Sequence, residues 1–306
     1  MHPYLEAILL GVIEGVTEFL PISSTGHLLI AQQWLERRSE LFNIAIQAGA
    51  ILAIVLVYRT RLIGLARGTF ARGALAGDAR AYLQALRAGG VRAEAVGAIA
   101  STAEEPALAR LRNLDYLTKI GAAFGVTAVL GLAVKALGWE LPETVVPVAW
   151  ALIVGGIGIL LAEHLAARRT RALGEVAQIT WTVAVLVGIA QVVAGVFPGT
   201  SRSAAAIFAA LLFGVTHRPA ATEFAFLVGI PTMFAATGYA LLDTLLEHGV
   251  HGEAWGQLAV AFTVAAVTGF ATVKWLLRFV QGHRFTPFAY YRLALGAVLL
   301  VWLAEG

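Results

Sequence analysis

Apolar stretches close to the length of a membrane-spanning helix recur along almost the whole chain. They cover residues 42–58, 117–138, 145–163, 176–197, 220–242, 257–277 and 288–303. Because a helix needs about 20 apolar residues to cross the hydrocarbon core, this recurrence predicts a polytopic helical membrane protein. A β-barrel would show short segments of alternating hydrophobicity instead.

Composition agrees with burial in lipid. Charged residues make up 13% of the 306 residues, against about 25% in soluble domains. The net charge of +3 is small and mostly due to Arg, which indicates cytoplasmic loops rather than nucleic-acid binding. The chain has no Cys, so disulfides and thiolate chemistry are excluded.

A short internal repeat interrupts the apolar pattern. GVIEGVTEFLPISSTG at 11–26 aligns without gaps on GIAQVVAGVFPGTSRS at 188–203. Each copy contains a Pro, which breaks a helix, then a hydroxyl-rich turn and an apolar stretch too short to span comfortably. The alignment pairs Pro21 with Pro198, Ser24 with Ser201 and Glu14 with Gln191.

Both copies are interpreted as re-entrant helical hairpins, over about 4–36 and 178–214. Polar main chain at membrane depth is tolerated only where it is buried in protein or lines a watery cavity. We therefore expect the two hairpin tips to meet near the bilayer midplane. The sequence predicts an all-α polytopic membrane protein, with six transmembrane helices plus these two hairpins, in a single membrane domain over 1–306.

Arginines indicate the orientation of the spans. Nine lie in 59–112, and others follow in 165–175 and 274–284, whereas 136–167 and 219–273 contain no Lys or Arg. By the positive-inside rule, the Arg-bearing segments are cytoplasmic.

Threading the spans between these loops gives the hairpins opposite orientations. The first half, 1–164, has a hairpin that enters from outside, and the second half, 176–306, has one that enters from inside. This is an inverted-topology repeat, in which broken helices place a polar site near the midplane. Residues of about 60–115 form a cytoplasmic insertion in this scheme. Arg37 and Arg38 do not fit it, because they would lie outside.

The hairpin tips carry the candidate functional residues. Glu14 and Glu18 are four residues apart and share a helix face. Carboxylates within a membrane segment are costly and mark function by default. A helix that starts at a tip presents backbone N–H groups to a phosphate. The expected phosphate-binding residues are Ser23, Thr25 and Gly26 in the first tip and Thr200, Ser201, Arg202 and Ser203 in the second.

Five polar residues at or next to the tips have two interpretations each. Ser23 to Thr25 cap a helix as well as they bind phosphate. His27 is either a satisfied core histidine or a proton carrier. Arg202 is either a structural ion-pair partner of Glu14 or Glu18, or a planar clamp for phosphate. Gln47 is expected to bond a neighbouring helix. Acids and hydroxyls opposite a guanidinium suit metal-assisted phosphoryl chemistry.

EGVTEFLPISSTGH and PGTSRS resemble the two motifs of the bacterial undecaprenyl-diphosphate phosphatase family, which is linked to bacitracin resistance. TEFAFLVGIP at 222–231 is similar to the family segment that follows. The resemblance is good over 4–59 and 176–303 and poor over 60–140. The family usually has Gly where Ala204 stands here.

The resemblance implies a hydrolase that removes the terminal phosphate from a C55 isoprenyl diphosphate and so recycles the lipid carrier for cell-wall synthesis. It implies a multi-pass protein of the bacterial cytoplasmic (inner) membrane, with its site opening to the outer, periplasmic face. It also implies a divalent cation, Mg²⁺ or Ca²⁺. By the same resemblance, Glu14 and Glu18 are the acidic pair that holds the metal, Ser24 is the nucleophile, His27 its acid/base partner, and Arg202 the phosphate clamp.

The expected partners are the polyprenyl diphosphate substrate and the lipid bilayer, with a homodimer as a possible assembly and no nucleic acid. Two mechanisms stay open: attack by Ser24 through a phosphoserine, or direct attack by water. The alternative function is an inverted-repeat secondary transporter or lipid flippase, in which the intramembrane charges bind and couple the cargo.

Overall fold

Helices form the secondary structure of the described residues, which are 2–35, 37–70, 105–138, 144–247 and 253–305 of a computed structural model. In chain order they are α1 (Pro3–Thr17), α2 (Ser24–Ala31), α3 (Glu40–Val57), α4 (Arg59–Phe70), α5 (Glu105–Ala136), α6 (Val145–Leu173), α7 (Trp181–Val196), α8 (Arg202–Leu212), α9 (Arg218–Glu247), α10 (Trp255–Gly282) and α11 (Thr286–Glu305).

The predicted membrane spans are confirmed as helices. Five of them, α5, α6, α9, α10 and α11, are long and apolar enough to span, and α3 with α4 makes a sixth when the pair is counted as one span. Large apolar side chains are exposed along these helices, as lipid contact requires. Examples are Val129, Leu132, Val154, Val267 and Val298. The chain is an all-α, multi-pass membrane protein.

The chain divides into two compact units. The larger consists of Met1–Val57 and Ala122–Gly306, and the smaller of Tyr58–Gly121. Within the smaller unit, Lys119 pairs with Asp115 at 2.5 Å. Most of the predicted insertion, residues 71–104, lies outside the described residues, while its last part belongs to α5.

Both predicted hairpins are present as helix–turn–helix units in the larger unit. α1 packs on α2, and α7 packs on α8. The second arms have 8 and 11 residues, which corresponds to rises of only about 12 and 17 Å. Neither arm reaches the length of a span, in agreement with a re-entrant path.

Close-packed glycines attach the first arm of each hairpin to a spanning helix. A Cβ on Gly11 would lie 2.5 Å from the Ala261 carbonyl oxygen of α10. A Cβ on Gly188, the repeat equivalent, would lie 2.6 Å from the Ala123 carbonyl oxygen of α5. The absence of side chains therefore allows the backbones to approach closely. The two halves of the repeat use the same packing device.

Arg38, which did not fit the charge pattern, is explained by its partners. Its guanidinium donates to Glu6 Oε2 at 3.2 Å and to Gln257 Oε1 at 2.7 Å. It therefore neutralises a buried carboxylate of α1 and joins α1 to α10. A loop-charge rule does not apply to an arginine that is held inside the protein.

Candidate active site

Two serines with unusual backbone angles form the hairpin tips. Ser23 has φ 76° and Ser201 has φ 70°, a region that residues other than glycine rarely occupy. Each is the N-cap of its half-helix, since Ser23 Oγ accepts from Gly26 N and Ser201 Oγ from Ala204 N, both at 3.2 Å. The two tips thus share one strained cap geometry.

When the two tips are aligned by their N-cap residues, the repeat register differs by one residue from the ungapped sequence alignment. The ungapped alignment pairs Ser24 with Ser201, but the structure pairs the caps Ser23 and Ser201. The reason is that the second turn has one more residue between its Pro and its cap. The first helical residues, Ser24 and Arg202, are therefore the true equivalents at the tips.

Glu18 brings these two equivalent residues together. Ser24 Oγ donates to Glu18 Oε2 in a short hydrogen bond. Arg202 Nη2 lies 3.4 Å from Glu18 Oε1 and donates to Gln47 Oε1 at 2.8 Å. The predicted ion pair between Arg202 and the acidic pair is present, and it is made with Glu18. Gln47 bonds a neighbouring helix, as expected.

Glu14 and Gln191 share a second property besides their equivalent places in the repeat. Glu14 is fully buried, and neither of its carboxylate oxygens has a hydrogen-bond partner. Gln191 is also buried, and its Oε1 is without a partner. Such unsatisfied oxygens are costly in a protein interior unless a ligand, a proton or water satisfies them.

His27 lies at the first tip but contacts other groups than predicted. Its Nδ1 is 2.6 Å from the Ser23 carbonyl oxygen, so Nδ1 carries the proton and donates. Its Nε2 is 2.7 Å from the Tyr291 hydroxyl, and the two rings stack. Both ring nitrogens are therefore engaged, and the described contacts include no hydrogen bond from His27 to Ser24. The group that accepts the hydrogen bond of the Ser24 hydroxyl is Glu18.

The remaining predicted phosphate-binding residues occupy different places. Ser203 Oγ donates to the Leu20 carbonyl at 3.3 Å and so joins the two tips. Gly26 contributes its N–H to the Ser23 cap. Thr25 is exposed on the first turn of α2. Thr200 contributes its main-chain carbonyl to a contact with Arg292.

Sequence reasoning missed two neighbouring residues of α11, Tyr291 and Arg292. Tyr291 binds His27, and the fully buried Arg292 donates to carbonyls of both tips, at Pro21 and Thr200. The pattern that could have identified Arg292 is a lone cation inside an apolar span, which marks function by default.

A cavity opens beside the tips. Its polar end is formed by Glu18, Gln191, Arg202 and Ser203. Apart from Thr232, the rest of its wall is apolar and comes mainly from α3 and α9. These apolar residues are Phe19, Ile51, Ile54, Ala225, Phe226 and Met233. A mostly apolar cavity with a few convergent polar groups is typical of a ligand site.

The arrangement has the components for phosphoryl transfer. The Ser24 hydroxyl donates to a carboxylate that can take its proton, and the partly exposed Arg202 pairs with the same carboxylate. Two half-helices begin at the same place, so their N-terminal N–H groups favour an anion there. In the part of the chain that the structure describes, no cluster of three His, Cys, Asp or Glu is present to hold a metal.

Comparison with known proteins identifies the family of this chain. Residues 7–298 match the family described as "Bacitracin resistance protein BacA". Proteins named undecaprenyl-diphosphatase from Xanthomonas axonopodis pv. citri and Xanthomonas campestris pv. campestris are each 54% identical over 303 residues, 99% of this chain and 98% and 99% of theirs. A Rhizobium etli protein of the same name is 53% identical over 303 residues, 99% of this chain and 98% of its own.

The comparisons correct one expectation. Residues 60–140 were expected to fit the family poorly, yet the matches run through them with nearly full coverage of both chains. The length of this region is therefore shared with the relatives. Since the family match covers almost the entire sequence, this chain belongs to the bacitracin resistance protein BacA family.

Proposed function

We propose that this protein is an undecaprenyl-diphosphate phosphatase, which hydrolyses the C55 isoprenyl diphosphate to the monophosphate and inorganic phosphate. The observation that carries the proposal is the convergence of Ser24 and Arg202 on Glu18 at the meeting point of two half-helices. Relatives that bear this activity in their names are 54% identical over nearly the full length.

The cavity fits a lipid diphosphate by its polarity. Its apolar wall between α3 and α9 suits isoprenyl units, and its polar end suits the diphosphate. Arg202 is the cation that a phosphate would meet there, because a quarter of its side chain is exposed. Binding of a phosphate would replace Glu18 as the partner of the Arg202 guanidinium.

The contacts of Ser24 favour a phosphoserine route. Ser24 Oγ attacks the terminal phosphorus while its proton passes to Glu18, and the bond from that phosphorus to the bridging oxygen breaks. Isoprenyl monophosphate leaves, with Arg202 balancing the negative charge on the transferred group. Water then cleaves the phosphoserine and releases inorganic phosphate. His27 is hydrogen-bonded to the Ser23 carbonyl and the Tyr291 hydroxyl. Any proton that His27 transfers in the reaction is therefore a different one from the Ser24 proton.

A divalent cation fits the acidic end of the site. Mg²⁺ binds through one or two carboxylates, substrate phosphate and water, so three protein carboxylates are unnecessary. Glu14 offers two unpartnered oxygens, Glu18 a carboxylate, and Gln191 an unpartnered amide oxygen. When bound, Mg²⁺ or Ca²⁺ would neutralise phosphate charge. Ca²⁺ and Mg²⁺ should raise the unfolding temperature of the wild type, but not that of Glu14→Gln.

The orientation proposed with this function follows the arginine distribution. The C-terminal end of α6, which carries Arg168, Arg169 and Arg171, is cytoplasmic together with the loop that follows it. The first hairpin enters from the outer, periplasmic side of the bacterial inner membrane. This arrangement opens the Glu14 and Glu18 side of the site outward, where a used lipid carrier is released.

Phosphate release from undecaprenyl diphosphate by purified protein in detergent tests the function. We expect release that EDTA abolishes and that Arg202→Ala lowers by at least 100-fold, a change about as large as 2.7 kcal/mol. A transporter or flippase would need sealed vesicles to show its activity. Absence of release in detergent with Mg²⁺ and Ca²⁺ would contradict the proposal.

Rapid quenching with labelled terminal phosphate separates the two routes. A label on wild-type protein that disappears in Ser24→Ala supports the phosphoserine. Full activity of Ser24→Ala would assign the attack to water.

A further inference from the structure

Arg292 of α11 donates all of its hydrogen bonds to main-chain carbonyls. Nη1 binds Pro21 O at 3.2 Å and Thr200 O at 3.0 Å, and Nη2 binds Gly199 O at 3.0 Å. Two further bonds, from Nη2 and Nε, reach Ala151 O at 2.8 Å and Leu152 O at 3.3 Å in α6. A guanidinium has five N–H donors, and all five are used.

The identity of the acceptors explains what this cation does. Pro21 belongs to the first hairpin tip, and Gly199 and Thr200 belong to the second. Turns that interrupt helices leave carbonyls without intrahelical partners, and in lipid no water replaces those partners. Arg292 supplies the missing donors to both tips at once, and it does so from α11, a helix that belongs to neither hairpin.

The neighbouring backbone is shaped to hold this side chain. A Cβ on Gly155 of α6 would overlap the guanidinium, so the space beside the side chain exists because this residue is a glycine. α11 and α6 also approach closely one turn on either side of Arg292. A Cβ on Gly156 would lie 3.0 Å from Ala289 O, and one on Gly296 would lie 2.8 Å from Ala149 O. The guanidinium is therefore anchored on a tightly packed helix pair.

Arg292 is separate from the groups that face the cavity. It is fully buried and absent from the cavity wall, whereas Arg202 and Ser203 form part of that wall. It binds five carbonyl dipoles and no carboxylate, so its bonds serve the main chain rather than a buried acid. Arg202 thus forms part of the cavity wall. Arg292 is instead fully buried and contacts the tips through their main chain.

We infer that Arg292 is a positioning residue, which fixes the two hairpin tips against each other so that Ser24 and Arg202 reach Glu18 together. The inference rests on the proposed function for its kinetic consequence, but the fixation of the tips is independent of the reaction. An error of about 1 Å in the placement of reacting groups can cost about 100-fold in rate. Loss of Arg292 should therefore lower kcat.

The kinetic test uses Gly155→Ala, which keeps the arginine but fills its space, and Gly158→Ala as the matched control. Gly158 lies on the same helix and has open space around it. We expect Gly155→Ala to lower kcat per folded molecule about tenfold or more, with KM changed less than about threefold. Gly158→Ala should keep wild-type values. Arg292→Lys, with three donors for five acceptors, should lower kcat further.

A second measurement distinguishes positioning from simple stability. Because the chain has no Cys, spin labels can be attached through Thr25→Cys and Phe197→Cys, one in each tip. Electron paramagnetic resonance should give a narrow distance distribution that broadens when Arg292→Gln is added. An unchanged distribution, or wild-type kcat in Gly155→Ala, would overturn the inference. If the wild type released no phosphate, the function would fail while the distance measurement still tested the tips.

Discussion

At the scale of single residues, Glu18 makes the contacts that unite the site. It accepts from Ser24 of the first hairpin and pairs with Arg202 of the second. In the proposed mechanism, this carboxylate takes the Ser24 proton, and a bound phosphate replaces it as the partner of Arg202. Glu14, one turn away, is free of such contacts and remains the better candidate for a metal ligand.

The His27–Tyr291 pair gives a prediction at this scale. Tyr291→Phe removes the hydroxyl at 2.7 Å from His27 Nε2 while keeping the stacked ring. A single hydrogen bond contributes about 1 kcal/mol, so we expect kcat for phosphate release to fall by up to about tenfold. Tyr290→Phe is the control, since the Tyr290 ring is exposed. Equal activities of both variants would show that the Tyr291 hydroxyl has no role.

Residue types and spacing were enough to find most of the polar residues at the tips. Glu14, Glu18, Ser24 and Arg202 stand out because ionisable and hydroxyl groups are rare in apolar spans. Their pairing could not be read in the same way. His27 is three residues from Ser24 in sequence, yet it turns to Tyr291, which is 264 residues away. Only the packing of α11 decides which partner His27 meets.

At the scale of elements, the caps of the half-helices hold the tips in shape. Ser23 combines a positive φ with a cap bond to Gly26 N. Glycine adopts a positive φ without strain. Alanine is strained at a positive φ and also lacks the hydroxyl that accepts the Gly26 N–H. Sequence alone did not reveal these angles, because serine occupies such a conformation only where tertiary contacts impose it.

We therefore expect an order of stability for Ser23 variants. Ser23→Gly should reduce the free energy of unfolding by a few tenths of a kcal/mol, and Ser23→Ala by about 2 kcal/mol, since strain adds to the lost cap. Thermal unfolding in detergent, followed by tryptophan fluorescence, measures both. A Ser23→Ala protein as stable as Ser23→Gly would mean that Ser23 does not have a positive φ.

The apolar wall of the cavity predicts selectivity for the lipid tail. Gly229 of α9 lies in the wall and has open space around it. Gly229→Leu should therefore obstruct a long isoprenyl chain and raise KM for undecaprenyl diphosphate more than for farnesyl diphosphate. Gly238→Leu, on the same helix but outside the wall, should leave both KM values unchanged. Equal KM values in all three proteins would place the tail elsewhere.

At the scale of the whole molecule, the predicted spans were correct because hydrophobic length is a strong constraint in lipid. The repeat was visible because Gly, Pro and hydroxyl residues recur in order at 11–26 and 188–203. The one-residue shift at the tips was not visible in the sequence, because an alignment without gaps cannot represent the longer second turn. Arg38 shows the limit of charge counting, because Glu6 and Gln257 hold it inside the protein.

The orientation of the two halves is testable because the chain has no Cys. Thr144→Cys, in front of α6, should react with a membrane-impermeant maleimide in intact cells. Gln178→Cys, in the loop between α6 and α7, should react only after permeabilisation. Both positions are exposed. The reverse labelling pattern would contradict the arginine-based orientation.

Phosphate release by Glu18→Gln is the most direct test of a site that the two hairpins build together. The matched control is Glu6→Gln, which alters another buried carboxylate of the first hairpin, one that pairs with Arg38 instead. In this account Glu18 takes the Ser24 proton and also holds Ser24 and Arg202 close together. Because Gln cannot accept the proton as a carboxylate does, kcat should fall at least about 100-fold in Glu18→Gln. Glu6→Gln should retain activity per folded molecule. Wild-type kcat in Glu18→Gln would contradict the account.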